Sequence, residues 1–344
     1  MNNETGRAAK PRRATIKDVA QEAGVSRSTV SRALTGNGYV SADIRTRVLS
    51  AATRLRYVPD AMARSLRQQA SSTIGVLVSD LRNSFYADMA AGAGLAARRA
   101  GYTMVLVDDF AAPSSEIEAV KQVVELRVAG VIIAPVSVEA VDYLLRNEVP
   151  VVEVDRQFAS GRCDAVVVDN RAGARELTAH LVGLGHTRIA LLVDQVDWTT
   201  GRDRLDGYRD ALAQAGVAAD ENLVVSVGWT ADAVHARVAE LLREDAPPTA
   251  LLAVNNVVAE GAYRAVMDAK LRLPQDISLV SFDDASWMSM VSPGVTAATQ
   301  DAAALGDIAV GRLLNRIDTP DSPVQTVVLA ARLVARGSTG KPTA

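Results

Sequence analysis

The chain has 344 residues, 49% of them hydrophobic, and a formal net charge of −3, which allows a small domain and one or two larger ones. No apolar run is long enough to span a bilayer, and no hydrophobic segment of a secretory signal precedes the first helical pattern. Because Cys163 is the single cysteine, an intramolecular disulfide is excluded, and we expect a cytoplasmic protein. The three scattered histidines form no metal-ligand cluster with it, so no metal or other cofactor is expected.

The charge is distributed unevenly along the chain. Residues 1–70 contain 13 basic and 5 acidic side chains, a net charge of +8, which leaves −11 for the remainder. A basic module beside an acidic remainder is typical of a domain that neutralises nucleic-acid phosphates, and not of an enzyme for acidic substrates. Residues 1–13 are expected to form a disordered basic tail.

The segment after this tail has the pattern of two short helices joined by a tight turn. Thr15 and Asp18 stand at capping-box spacing and can open the first helix. Gly24 permits the turn, and Ser26 is a suitable N-cap for the second helix. Apolar residues recur at helical spacing on both helices, which predicts that they pack together: Val19, Ala20, Ala23, Val30, Ala33 and Leu34.

Polar residues of the second helix are candidates for contact with DNA. Because arginine can bond both guanine acceptors of the major groove, we expect Arg27, Ser28 and Arg32 to contact base edges. Thr29 and Ser31 suit phosphate contacts better. The alternative is an ordinary helical hairpin with a solvated polar face.

A third helix is predicted from Ser41 to about Leu55, which completes a headpiece over residues 14–58. A short helix follows within a hinge and linker, residues 59–72, and is marginal unless it docks on DNA or on a second copy. In it, a leucine beside two arginines suits insertion between base pairs from the minor groove; the alternative is a linker leucine packed on the neighbouring domain. These candidate DNA contacts are Arg64, Leu66 and Arg67.

Short runs of β-branched residues alternate with helical patterns from Ile74 to Ser281. Such alternation predicts parallel sheets with crossover helices, and about ten strands divide better into two doubly wound lobes than into one sheet. We therefore predict an all-α helix-turn-helix headpiece followed by a two-lobed α/β core. A relaxed dinucleotide-binding pattern at Gly92–Ala97 is rejected, because it falls within a helix and not directly after a strand.

Polar residues follow almost every predicted strand of the core. Ligands of doubly wound sheets bind beyond the carboxyl ends of the strands, where carboxylates, amides and arginines can hydrogen-bond hydroxyl groups. A tryptophan such as Trp229 can cover the apolar face of a sugar. Taken singly, each polar residue is also consistent with a helix N-cap, and each tryptophan with a core position. The polar strand-end residues are Asp80, Asn83, Asp108, Asp109, Asp155, Arg156, Asp194, Asn255, Asn256, Asp283 and Asp284.

Short motifs spread over nearly the whole chain occur in a recognisable order. They are Ala14–Ala20, Gly24–Ser26, Thr29–Arg32, Tyr57–Pro59, Ala63–Leu66, Gly185–His186, Arg204–Tyr208, Pro274–Ser278 and Arg336–Thr339. Together they resemble the LacI/GalR family of bacterial transcription regulators. The resemblance implies a core like that of the periplasmic sugar-binding proteins, in which the chain crosses between the lobes three times.

In this chain those crossings are expected near Val168, Gln300 and Pro323. They define the expected domains of the core, which are a first lobe of residues 73–167 plus 301–322, a second lobe of residues 168–300 plus 323–336, and a tail of residues 337–344.

The resemblance also implies a function. A homodimer is expected to bind a near-palindromic operator in double-stranded DNA as a transcriptional repressor, without a membrane partner. A small sugar-like effector is expected between the lobes and to control operator affinity. The implied effector contacts are Phe85, Asp155, Arg204, Trp229, Asn255, Asp283 and Gln300.

One departure from the family pattern concerns the effector site. Family members often carry Asn-Asp where this chain has Asn255 and Asn256, and an amide in place of a carboxylate leaves the hydroxyl pattern of the effector open. We expect the effector to close the cleft and to change hinge order, in a direction that the sequence leaves open.

Two other classes of protein compete with a regulator. A transport receptor would share the core but would carry an export signal and no basic headpiece. An enzyme would need a catalytic set or a phosphate loop, and no Ser-His-Asp or Cys-His set with a local signature occurs, so no enzymatic activity is expected.

Overall fold

The computed structural model describes residues 14–36, 38–57, 71–158 and 160–343. The chain forms two compact units, Met1–Ala70 and Ser71–Ala344. The predicted basic tail and the hinge residues Arg64, Leu66 and Arg67 lie outside the described residues, so their roles stay predictions.

The first unit contains a bundle of three short helices, α1 (Ile16–Ala23), α2 (Arg27–Thr35) and α3 (Ala42–Arg54). Their N-caps confirm the sequence prediction, because Thr15, Ser26 and Ser41 each accept a hydrogen bond from a backbone N–H in the first turn. Gly24 has φ 63°, a left-handed conformation that lets α2 leave α1 at once. The bundle closes on a small core formed by Val19, Ala20, Ala23, Val30, Ala33, Val48 and Ala51.

The first lobe of the second unit is built on a parallel sheet. Its strands in chain order are β1 (Thr73–Val78), β2 (Thr103–Asp108), β3 (Gly130–Ile133), β4 (Val151–Val154), β5 (Asp164–Val168) and β11 (Thr326–Leu329). They lie in the spatial order β11-β5-β4-β3-β1-β2. Its helices are α4 (Ser84–Arg99), α5 (Pro113–Glu125), α6 (Val138–Arg146) and α12 (Ala302–Asp318).

The second lobe repeats this arrangement with a second sheet. Its strands are β6 (Ile189–Val193), β7 (Val224–Ser226), β8 (Ala250–Ala253), β9 (Ser278–Phe282), β10 (Thr296–Thr299) and β12 (Arg332–Val334). The spatial order is β12-β10-β9-β8-β6-β7, and β12 alone among these strands runs antiparallel to its neighbour. Its helices are α7 (Asn170–Gly183), α8 (Thr199–Gln214), α9 (Ala231–Leu241), α10 (Asn256–Asp268) and α11 (Trp287–Met290).

Both sheets are covered by helices on their two faces. The central strands are therefore buried throughout, as in β3, β4, β6, β8 and β9. Their β-branched and leucine side chains form the core that holds the carboxyl ends of the strands in place. The predicted fold class, a helix-turn-helix headpiece with a two-lobed α/β core, is confirmed.

The third crossing between the lobes differs from the prediction. We expected it near Pro323, but β11 pairs in parallel with β5 in the first sheet, from Thr326 opposite Ala165 to Leu329 opposite Val168. The chain therefore crosses between Leu329 and Arg332. The physical reason is the buried Asp164, whose carboxylate accepts hydrogen bonds from the guanidinium groups of α12 and from the backbone N–H of Gln325, 2.7 Å away. These bonds anchor the segment before β11 to the first lobe.

The C-terminal segment, which contains the expected tail of residues 337–344, makes specific contacts with the second lobe. Ser338 is fully buried, and its hydroxyl donates to the carbonyl of Leu279 at 2.6 Å and accepts from the N–H of Thr296 at 2.8 Å. The ring of His186 lies 2.9 Å from the carbonyl oxygen of Gly340. Burial lowers the pKa of His186, which favours the neutral imidazole in this contact. Residues 337–343 are thus packed against the second lobe.

In the ranges given above, no helix is both long enough and apolar enough to cross a membrane.

Candidate functional site

The carboxyl ends of the two sheets border one cavity of about 370 Å³ within the second unit. Its lining comes from the segments that follow β1, β2, β4, β6, β7, β8, β9 and β10, including the starts of α4 and α8, as expected for ligand sites of doubly wound sheets. It brings together all seven side chains predicted to contact an effector, namely Phe85, Asp155, Arg204, Trp229, Asn255, Asp283 and Gln300.

Two aspartates occupy equivalent positions in the two lobes. Asp155 follows β4 with φ 65°, and Asp283 follows β9 with φ 69°. Left-handed backbone is uncommon outside glycine, although aspartate tolerates it better than most residues, and such strain persists where surrounding bonds fix it. Here each backbone N–H is tied to the adjacent strand, that of Asp155 to Val166 at 3.1 Å and that of Asp283 to Ala298 at 3.0 Å. Both carboxylates are therefore held at the edge of the cavity.

Asp283 and Gln300 form a polar pair in the wall of the cavity. Burial raises the pKa of Asp283 to about 6, and the nearby Arg204 and the amide of Gln300 oppose that rise. The other amide atom of Gln300, Oε1, is buried and has no hydrogen-bond partner among the described residues. A buried acceptor without a partner costs free energy unless a ligand donor fills it. The pair can therefore accept hydrogen bonds from ligand hydroxyl groups.

Arg204 is a buried cation held by the protein on several sides. Its Nε donates to Oδ1 of Asn170 at 2.8 Å, and its Nη1 donates to the carbonyl of Val254. The guanidinium carbon lies 3.8 Å from the ring centroid of Phe282, a stacked cation–π contact. Since Asn170 begins α7 directly after the first crossing, Arg204 joins the cavity to the segment between the lobes.

Aromatic residues supply the apolar part of the cavity. Trp229 is 45% exposed and packs on Trp198, with ring centroids 4.8 Å apart. Phe85 is buried and makes an edge contact with Tyr86 at 5.2 Å. An exposed indole face beside carboxylates suits the apolar face of a sugar ring whose hydroxyl groups point to polar side chains.

Asn255 lines the cavity with both amide atoms engaged in the protein. Its Oδ1 caps α10 by accepting from the N–H of Val258 at 2.9 Å, and its Nδ2 donates to the carboxylate of Asp194 at 2.6 Å. The helix-cap alternative considered for strand-end residues therefore holds for Asn255, and it is compatible with a place in the wall of the cavity.

Arg156 is a cavity residue that was absent from the predicted effector contacts. It is buried, its Nη1 donates to the hydroxyl of Ser79 at 2.9 Å, and its guanidinium lies 3.7 Å from the ring centroid of Trp198 in the other lobe. Its neighbour Asp155 accepts a hydrogen bond from the hydroxyl of Tyr86 at 2.8 Å. The sequence signal was its place directly after Asp155 at a strand end, but contact with Trp198 depends on the tertiary structure.

Two buried carboxylic acids lie behind the cavity in the first lobe. Asp109 is fully buried, and its Oδ1 accepts from the N–H of Ala111 at 2.9 Å. Burial raises the pKa of Asp109 to about 7, and the charge of the adjacent Glu116 adds to the rise. Glu116 is itself held by the N–H of Val136 and the hydroxyl of Ser137, at 2.8 and 2.6 Å.

The raised pKa of Asp109 predicts a pH-dependent stability. Between about pH 4 and pH 7 the folded chain binds the proton that the unfolded chain has released, so the free energy of unfolding falls as the pH rises. Asp109→Asn keeps the acceptor for Ala111 and carries no charge. We therefore expect the free energy of unfolding of Asp109→Asn, relative to that of wild type, to increase by about 2 to 3 kcal/mol from pH 5 to pH 7.5. Chemical denaturation at both pH values measures this difference.

The control for this experiment is Asp232→Asn, since Asp232 has an 86% exposed side chain paired with Arg264. Its effect should be small at both pH values. A constant difference between Asp109→Asn and wild type across the same range would contradict the role of Asp109.

The proposed DNA-facing side chains of α2 differ in exposure. Arg27, Ser28 and Arg32 are exposed, whereas Thr29 and Ser31 are half-buried. The hydroxyl of Ser26 lies 2.8 Å from the hydroxyl groups of both Ser28 and Thr29, which orders the first turn of the helix. The division into base contacts and phosphate contacts stays a prediction.

The headpiece also has a shallow groove that the sequence analysis did not identify. It runs beside the N-terminus of α2 and is bordered by Lys17, Gln21, Ser26 and Arg27. Lys17 and Gln21 project from α1 at i and i+4 spacing, which could have signalled a shared face. A cation and an amide beside Arg27 suit contacts to a phosphate backbone.

The headpiece and the two-lobed core each match a known protein family. Residues 15–60 match the model of bacterial regulatory proteins of the lacI family, and residues 178–339 match that of the periplasmic binding protein-like domain. The ribose operon repressor of Escherichia coli (strain K12) is 31% identical over 328 residues, which cover 94% of this chain and 99% of the relative. The ribose operon repressor of Haemophilus influenzae is 30% identical over 326 residues, which cover 94% of this chain and 98% of the relative.

A solved structure extends the likeness to three dimensions. The lac repressor dimer bound to operator and the anti-inducer ONPF has a TM-score of 0.83 and 30% identity, covering 96% of this chain and 100% of that one. With a relative of this identity over nearly its full length, and with both domains in the same order, the chain belongs to the LacI family of DNA-binding transcriptional regulators that small-molecule effectors control.

Proposed function

We propose that this chain is a transcriptional repressor whose operator affinity is set by a neutral sugar bound in the cavity between its lobes. The observation that carries the proposal is the convergence of seven side chains from seven separate segments on that one cavity. They combine carboxylate and amide groups for hydroxyls with aromatic faces for ring carbons, the usual pattern of a small-molecule site with fixed orientation.

The charges of the cavity favour a neutral ligand over a phosphorylated one. Each arginine that lines it already bonds a group of the protein, and only the Nε of Arg156 among their buried nitrogens has no hydrogen-bond partner in the described residues, although it lies 3.5 Å from the carboxylate of Asp155. Arg82 makes two 2.9 Å bonds to Asp80, Arg156 bonds Ser79, and Arg204 is held by Asn170 and Val254. A phosphate needs cations free to pair with it, whereas carboxylates repel it. Sugar hydroxyls donate to carboxylates at no such cost.

The relatives suggest which sugar to test first. Ribose operon repressors are among the most similar proteins, and a LacI family regulator of Enterococcus faecium with bound ribose has a TM-score of 0.71 at 28% identity. A regulator in complex with cellobiose has a TM-score of 0.73 at 29% identity. Similarity to these regulators supports a sugar as the effector class. Ribose is the first ligand to test, and cellobiose is a larger one.

The DNA-binding side of the proposal rests on the headpiece. Arg27, Ser28 and Arg32 are proposed to contact base edges, and Thr29 and Ser31 to contact phosphates. Arg64, Leu66 and Arg67 stay proposals from sequence, with Leu66 as the wedge in the minor groove. The chain acts as a homodimer on a near-palindromic operator, with one half-site for each headpiece. It acts in the cytoplasm, where bacterial DNA lies, and without enzymatic activity.

Isothermal titration calorimetry of the full chain tests the ligand class. Ribose, cellobiose and ribose 5-phosphate are titrated separately, and a neutral sugar is expected to saturate one site per chain while the phosphate gives no saturable heat. The proposal would be contradicted if only ribose 5-phosphate gave saturable binding, or if neither ribose nor cellobiose did.

A further inference from the structure

Asn256 joins the two lobes by side-chain hydrogen bonds. It is the first residue of α10 in the second lobe and is buried. Its Nδ2 donates to Oδ1 of Asn83 at 2.8 Å and lies 3.1 Å from the hydroxyl of Ser84, both at the start of α4 in the first lobe. Since Nδ2 carries two hydrogens, one amide group can serve both acceptors.

These bonds connect groups that line the cavity, although Asn256 itself does not line it. On one side, Asn83 borders the cavity and its Oδ1 also caps α4 by accepting from the N–H of Phe85 at 3.0 Å. On the other side, Asn256 directly follows Asn255, which lines the cavity, and its backbone N–H helps to lower the pKa of the cavity residue Asp283. Asn256 therefore links a cavity group of one lobe to a cavity group of the other.

Two further contacts between the lobes, seen among the described residues, involve the cavity directly or use a backbone donor. Arg156 stacks on Trp198, and both line the cavity. The backbone N–H of Gln157 donates to the hydroxyl of Thr199 at 3.2 Å. Asn256 thus offers a way to weaken the contact between the lobes without removing a group that meets the ligand.

The hydrogen bonds from residue 256 to Asn83 and Ser84 require a side chain that donates. A carboxylate at this position would only accept, and Oδ1 of Asn83 would face it as a second acceptor. It would also add negative charge in a small space that Asp88, Asp283 and Asp284 already border. At most the contact with Ser84 would survive, since that hydroxyl can reverse and donate.

We propose that Asn256 is a positioning residue that latches the lobes in the closed arrangement and thereby sets effector affinity without contacting the effector. The proposal rests on the proposed function, in which the ligand binds between the lobes. When only the closed lobes bind the effector, the apparent affinity equals the intrinsic affinity multiplied by the fraction of closed molecules. Weaker hydrogen bonds from Asn256 reduce this fraction and therefore lower the apparent affinity.

The test uses the full chain with spin labels on exposed positions of the two lobes, Glu118→Cys and Glu240→Cys, while the native Cys163 is buried. Distances between the labels are measured without ligand by double electron–electron resonance. Asn256→Ala and Asn256→Asp should broaden the distribution toward longer separations. Asn222→Asp is the matched control, because Asn222 is exposed and bonds Asp220 within the second lobe; it should leave the distribution unchanged.

A second readout is ribose affinity by calorimetry, which should fall about tenfold in both Asn256 variants and stay constant in the control. Asn256→Asp keeps the side-chain size and places a carboxylate at a helix N-terminus, which favours folding if Asn256→Ala does not fold. Unchanged distances in Asn256→Asp would overturn the latch. Failure of wild type to bind any sugar would count against the proposed function alone, because the distances test the latch without ligand.

Discussion

Arg204→Ala is expected to abolish the response to effector while operator binding persists. The substitution removes a buried cation and leaves Oδ1 of Asn170 and the carbonyl of Val254 without their donor. A hydrogen bond to a charged group contributes about 1.5 to 3 kcal/mol, so removing Arg204 from the wall of the cavity should lower ribose affinity by about 10- to 150-fold. The headpiece is a separate unit of the chain, and its affinity for operator DNA should change less than threefold.

Arg202→Ala is the matched control for Arg204→Ala. Arg202 belongs to the same helix and has the same charge, but it is exposed and its guanidinium lies 3.4 Å from the carbonyl of Asp197. Ribose binding by calorimetry and operator binding by fluorescence anisotropy are measured for both variants. An Arg204→Ala protein that responds normally to ribose would remove Arg204 from the effector site.

Arg27→Ala is expected to lower specific operator binding far more than binding to random duplex. The side chain is exposed at the first position of α2, where recognition helices contact base edges. One bidentate contact to guanine discriminates by about 1 to 3 kcal/mol, and a dimer makes the contact in both half-sites. We therefore expect a loss of about 100-fold or more on the operator, against a small loss on random DNA.

Arg54→Ala separates the loss of charge from the loss of base contact. It removes the same charge from the headpiece, at the end of α3, where Arg54 pairs with Glu22 at 3.1 Å. Long-range attraction to phosphates should fall similarly in the two variants, so their affinities for random duplex should agree. Equal losses of operator affinity in Arg27→Ala and Arg54→Ala would contradict base contact by Arg27.

The local features of the fold were accessible from the sequence because they depend on nearby residues. Thr15, Ser26 and Ser41 are capping residues at the right spacing from a helical pattern, and each caps its helix. The strands before Asp155 and Asp283 are short runs rich in apolar residues, so their ends and the polar residues beyond them were visible.

The elements that were missed carry weak local patterns. The strand β10 is Thr-Ala-Ala-Thr, which lacks the bulky β-branched run that marks its neighbours. The edge strand β11, Thr-Val-Val-Leu, is a short β-branched run that stays partly exposed, and its place in the first sheet depends on Asp164, more than 150 residues earlier in the chain. The expected crossing near Pro323 was wrong because that long-range anchor has no sequence signal.

The residues of the site could be predicted from the sequence, but the contacts between their side chains could not. Strand-end placement and family resemblance gathered seven residues that do line one cavity. The partners of Arg204, the stacking of Arg156 on Trp198 and the bridge from Asn256 to Asn83 join residues that are distant in sequence. Such contacts arise from tertiary packing within and between the lobes, which the spacing of residues along the sequence does not encode.

A palindromic operator is first selected from random duplexes with the full chain, and its binding is then titrated by fluorescence anisotropy at moderate salt, with and without ribose. For an effector-controlled repressor, we expect an operator affinity at least about 1,000-fold above the affinity for random duplex. Operator affinity should change by about 5- to 150-fold when ribose is added. Equal affinity for the selected and the random duplex, in both conditions, would contradict the proposed function.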